Sequence, residues 1–66
     1  MKERYRIVIE NDWHWMASSF TLTGAIEAAV SLASWFRSRA WIIKTNQPGG
    51  KVVTVYDWFG REANQG

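Results

Sequence analysis

Sixty-six residues with a formal charge of +2, no cysteine and one histidine describe a single small domain with no disulfide staple, no thiolate metal site and few ligands for any metal. A domain of this size buries only about 60% of the surface its unfolded chain exposes, and with no cofactor expected, self-association is the expected remedy for a small core. No apolar run reaches the roughly 20 residues of a membrane span, and the opening MKERYRIVIE has no apolar stretch of leader length, so a soluble cytoplasmic protein without a membrane partner is expected.

Arg4 to Glu10 alternates Tyr5, Ile7 and Ile9 with Arg6, Val8 and Glu10, the period of a strand. Asn11-Asp12 is a turn signal, and Trp13 to about Ser18 reads as the returning, aromatic-rich strand. A two-residue loop at Asn11-Asp12 pairs Glu10 with Trp13, Val8 with Trp15 and Ile7 with Met16. Tyr5, Ile7, Ile9, His14 and Met16 then share one face, and Arg6, Val8, Glu10, Trp13 and Trp15 the other.

Thr23 to Ser38 follows with helical spacing. Leu22, Ala25, Ile26, Ala29, Ala33 and Phe36 fall within one arc, flanked by Val30 and Leu32, while Glu27, Ser31, Ser34 and Ser38 fall opposite. Thr23 is the expected N-cap, with Glu27 in the first turn and Arg37 and Arg39 at the positive-favouring end. The alanine centre of the stripe invites the close approach of a sheet.

Arg39 to Asn46 is the next strand. Gln47-Pro48-Gly49-Gly50 is the clearest turn in the chain, with proline and glycine placed as in a type II turn. Lys51 to Trp58, with Val52, Val53 and Val55, is the partner strand. Closing that turn pairs Ile42 with Val55, Lys44 with Val53, Ile43 with Thr54 and Trp41 with Tyr56. Ala40, Ile42, Val53 and Val55 then face the helix, and Arg39, Trp41, Ile43, Tyr56 and Trp58 face away. Residues 1–59 form the domain, and 60–66, with no apolar anchor, form a tail expected to fray. The fold class expected is α+β: one helix on one face of a small antiparallel sheet, in the order ββαββ, or βαββ if Trp13 to Ala17 is irregular.

Catalytic patterns are weak. Glu10, Asp12 and His14 bracket a turn and have no second histidine beside them; Ser18 and Ser19 lack a nucleophile elbow; Gly49-Gly50 lacks the P-loop pattern. We read the chain as a non-enzyme. Its unusual feature is five tryptophans in 66 residues. Both hairpins, aligned from their turns, place indoles on the face the helix leaves uncovered: Trp13 and Trp15 from one, Trp41 and Trp58 from the other. With Arg6, Arg39, Ile43 and Tyr56 they form the expected binding residues, since Trp, Tyr and Arg dominate interface hot spots. A protein partner, or a second copy in a homodimer, is favoured over nucleic acid. The basic residues that could support base stacking, Arg6, Arg39, Lys44 and Lys51, are diluted by Glu10, Asp57 and Glu62, and no RNP-type motif is present.

In layout the chain resembles certain small anti-CRISPR proteins: an opening strand from Lys2 to Ile9, an alanine-rich helix from Ala25 to Ala33, a hairpin from Trp41 to Lys44 and Val52 to Tyr56, and a charged Gly60-Arg61-Glu62 end. The resemblance implies a phage-type inhibitor acting in the host cytoplasm by steric cover of a larger nucleoprotein complex, without catalysis. The alternative is a small single-stranded nucleic-acid-binding or housekeeping βαββ module.

Overall fold

The computed structural model describes residues 4–10, 12–45 and 50–63, and for 12–16 the backbone alone. Five elements follow one another: β1 (Tyr5–Ile9), β2 (Asp12–Ser19), α1 (Leu22–Phe36), β3 (Ala40–Lys44) and β4 (Lys51–Tyr56). The strands form one antiparallel sheet in the order β2-β1-β3-β4, with α1 packed on one face. The expected α+β architecture and the ββαββ order are both present.

The core is the contact between an alanine stripe and a row of isoleucines. Ala25, Ala29 and Ala33 of the helix are fully buried against Ile7 and Ile9 of β1 and Ala40 and Ile42 of β3. Alanine side chains let the helix approach the sheet closely, and the branched isoleucines fill the space between them. Tyr5, Ala17, Ile26, Leu32 and Tyr56 ring this core, half-buried.

The helix starts earlier than its first threonine pair suggests. Thr21, in extended backbone conformation, is the N-cap, and its Oγ1 accepts from the Gly24 N–H at 3.1 Å. With Leu22 as the first helical residue, Thr23 lies inside the helix and Glu27 falls beyond the first turn. Ser19 supports the entry: its Oγ accepts from the Thr21 N–H and donates to the Thr21 carbonyl. At the other end Arg37 adopts the left-handed conformation (φ 50°). The Ser38 N–H bonds the Ala33 carbonyl and the Arg37 N–H the Ser34 carbonyl, the paired bonds of a Schellman stop.

Register departs from expectation in both hairpins. In the first, Val8 faces Trp15 as expected, but Ile7 faces Ala17 rather than Met16, and Ile9 faces Asp12, with irregularities between these pairs. In the second, Ala40 faces Tyr56, Trp41 faces Val55 and Ile42 faces Thr54, one residue out of the expected alignment; a bulge then brings Ile43 opposite Val52 and Lys44 opposite Lys51. Because side chains alternate, that one-residue slip turns the inner half of β4 over. Tyr56 therefore packs on the helix side, and Val55 points to the reverse. The reversal comes from the extra residue Val53 at that bulge, since Lys51 and Val52, nearer the connection, keep the faces expected of them; Gln47, Pro48 and Gly49, in the expected turn, lie outside the described residues. Gly50 closes it at φ +71°, where an added Cβ would stand 2.9 Å from Ile43 Cγ2.

Beyond β4 the chain turns back. Tyr56 pairs with Glu62 in an isolated antiparallel bridge, the Asp57 N–H bonds the Arg61 carbonyl, and the Ala63 N–H bonds the Val55 carbonyl at 2.7 Å. Gly60 to Ala63, expected to fray, are thus held along β4 by backbone hydrogen bonds rather than by an apolar anchor. Residues 64–66 lie outside the described residues.

Candidate functional site

The sheet face turned away from α1 is built from cross-strand rows. In one, Val8 of β1, Trp41 of β3 and Val55 of β4 are direct neighbours, and Trp15 of β2 stands opposite Val8 in register. Val8 is 5% exposed and Val55 3%, although neither belongs to the helix-side core. Trp41, half-buried between them, is placed to cover both valines, since strands lie about 4.8 Å apart. The next row runs Ser18, Arg6, Ile43 and Val52. Arg6 and Val52 are exposed and Ile43 is half-buried.

A row of alternating charge closes this face at the other side. Glu10 and Arg39 follow Ile9 and precede Ala40; the Glu10 N–H bonds the Arg39 carbonyl at 2.8 Å, and the Arg39 guanidinium lies 3.9 Å from the Glu10 carboxylate. Asp57 follows Tyr56, which faces Ala40, and its carboxylate lies 3.8 Å from the Arg61 guanidinium. The Asp57 carboxyl is held below the usual carboxylate range, first by the hydrogen bond its Oδ1 accepts from the Arg61 N–H, then by the bond from the Phe59 N–H, with the charges of Arg61 and Arg39 adding to it. These exposed pairs orient side chains more than they stabilise the fold.

Of the eight residues expected to bind, the fold brings Arg6, Trp41 and Ile43 together on the uncovered face, with Arg39 at its charged margin. Tyr56 is not there: it packs beneath the helix, for the register reason above. Trp58 is not on a strand either. β4 ends at Tyr56, and Trp58 stands in the following turn, its ring 5.7 Å from that of Phe59. The side chains of Trp13 and Trp15, like that of His14, lie outside the described residues.

Sequence reasoning missed where the most exposed aromatic surface among the described residues lies. Trp35, on the outer side of α1, is 81% exposed, and Phe59 is 70% exposed beneath the Arg61 guanidinium, 5.3 Å from its ring centroid. The helical wheel carried the first signal, because Trp35 falls with Ser31 and Ser34 rather than with the alanines. The Asp57-to-Gly60 spacing carried the second: the Asp57 side chain and the left-handed Gly60 (φ +81°) make a turn that lifts Phe59 off the sheet. That turn rests on the helix, an added Gly60 Cβ meeting Val30 Cγ1 at 3.5 Å.

Among the described residues no three His, Cys, Asp or Glu side chains gather as a metal ion would require, and no helix is long and apolar enough to cross a membrane. Comparison of the chain with protein-family models, with curated proteins and with solved structures finds no match.

Proposed function

We propose that this chain is a non-enzymatic protein-binding module that docks through the uncovered sheet face, most concretely as a small phage-type inhibitor that sterically blocks a host nucleoprotein complex. The observation that carries the reading is the one-sided architecture. The helix covers one face of a four-stranded sheet, while the other presents Trp41, Ile43, Val52 and Arg6 beside the charged row of Glu10, Arg39, Asp57 and Arg61. An apolar centre with an aromatic anchor and a polar, charged rim is the composition of protein interfaces. A standard interface takes about 800 Å² from each partner, roughly one-sixth of the 4637 Å² surface of this chain, which is the scale of one sheet face. The anti-CRISPR-like layout supports the steric form of the mechanism.

The test is an affinity capture from host extract with three proteins: wild type, an Arg6→Glu/Val52→Glu variant of the sheet face, and a Trp35→Ser variant of the helix. A specific protein retained by wild type and by Trp35→Ser, and lost with the sheet-face variant, is the expected result. Retention unchanged by the sheet-face variant refutes the assignment. A labelled single-stranded oligonucleotide serves as the competing probe: binding that weakens steeply with salt and is lost in the same variant transfers the face to nucleic acid.

A further inference from the structure

The two edges of the sheet are treated differently. At β4 the returning segment covers part of the outer edge: Glu62 bridges Tyr56, the Ala63 N–H bonds the Val55 carbonyl, and Thr54 Oγ1 donates to Glu62 Oε2 at 2.6 Å. The exposed Lys51 and a bulge interrupt the remainder of that strand. Pairing and charge are usual protections of a sheet edge, whereas bulges, present in β2 as well as β4, do not distinguish the two. The other edge is β2, at eight residues the longest strand of the sheet. Among the described residues no strand lies on its outer side, and its sequence DWHWMASS holds no lysine, arginine, proline or glycine and one charge, Asp12, at its end.

We propose that β2 pairs antiparallel with β2 of a second copy, joining two four-stranded sheets into one of eight strands about a two-fold axis. The strand's own sequence selects a second copy as the occupant. Its first half, Asp12 to Trp15, is bulky, and its second half ends in the small Ala17, Ser18 and Ser19. Antiparallel self-pairing centred between Trp15 and Met16 sets Trp13 opposite Ser18 and His14 opposite Ala17, so that large positions meet small ones on either side of a central Trp15–Met16 pair. It also sets Asp12 opposite Ser19, which keeps the two carboxylates at opposite ends of the seam, about 23 Å apart at 3.3 Å per residue. Ala17 to Ser19, in plain register with Tyr5 to Ile7, give each copy a regular stretch on which the partner's Asp12 to His14 can pair. The contact uses the sheet edge and stands independently of the docking face, and it answers the small-core problem of a 66-residue chain.

Sedimentation equilibrium across a concentration series, with amide hydrogen exchange followed by NMR on the same samples, tests it. The expected result is a species of twice the 7.6 kDa chain mass whose β2 amides exchange more slowly as concentration rises, while those of β4 do not change. Ser18→Pro and Ala17→Pro bracket the seam. Successive N–H groups of a strand point to opposite edges, so one of the two variants spares the ladder with β1. The variant that keeps the native circular dichroism is expected to self-associate at least about tenfold more weakly. A 7.6 kDa monomer at every concentration up to the millimolar range overturns the proposal. So does a dimer whose protection appears outside β2, one broken by Arg6→Glu/Val52→Glu but not by the folded proline variant, or β2 protection that arises only when a foreign protein is added. The wild-type exchange pattern decides the matter even if neither proline variant folds.

Discussion

Ile42 and Ile43 are adjacent in the chain and chemically identical, yet they serve opposite sides of the sheet. Ile42 is fully buried beneath the alanine stripe of the helix; Ile43 is half-buried on the reverse face, beside Arg6 and Val52. The helix-covered side is a close-packed contact of small and branched side chains. The reverse side sets Trp41 between two buried valines, Val8 and Val55, and leaves its margin to charged pairs. One side packs the helix onto the sheet, and the other buries Val8 and Val55 but leaves Ile43 half-buried and Arg6 and Val52 exposed.

Truncating the two isoleucines tests that contrast most sharply. Ile42→Ala is expected to cost about 3 kcal/mol in urea unfolding, a large share of the roughly 3–10 kcal/mol available to a chain of this length. Ile43→Ala is expected to cost about 1 kcal/mol. Equal costs would show that the reverse face is as structural as the core. Tyr56 provides the next test. Packed against the helix-side core, it should lose about 2 kcal/mol on Tyr56→Ala; a fully stable Tyr56→Ala protein would mean the ring faces outward and β4 is in the other register.

Gly50→Ala probes the connection that leads into β4. With φ +71° and a Cβ destined to sit 2.9 Å from Ile43 Cγ2, it should lower stability by about 1–2 kcal/mol in the same assay. Arg37→Gly should do the reverse at the helix C-terminus, raising stability by about 0.5–1 kcal/mol by relieving the left-handed backbone of Arg37. The smallest effect is electrostatic. Because the folded Asp57 carboxyl titrates below its unfolded value, its support for the 57–61 turn is fully present above the ordinary carboxylate range and is lost as pH falls through the lowered folded value. Amide exchange at Phe59 and Arg61 should accelerate over that acid interval in wild type, and should already be fast at neutral pH in Asp57→Ala.

How far each feature could be read depended on how local its cause is. The helix announced itself through Ala25, Ala29 and Ala33, because a buried stripe repeats with the helix's own period. Its cap did not: Thr21 and Thr23 are equally able to cap, and the choice fell to the residue whose hydroxyl reaches the Gly24 N–H while Ser19 fixes the approach. The outward placing of Trp41 and Ile43 follows from alternation with Ala40 and Ile42. That of Tyr56 could not follow, since the one extra residue at the β4 bulge reverses every side chain beyond it.

The chain's composition and periodicities determined that one alanine-faced helix would lie on a small antiparallel sheet, because hydrophobic spacing acts within each element and needs no knowledge of the others. The alignment of β4, the Met16-side irregularity of β2 and the return of Gly60 to Ala63 along the sheet were decided only when the elements met. Each depends on where a strand gives up a residue to a bulge and on which backbone hydrogen bonds are left to be satisfied, and both are properties of the assembled molecule.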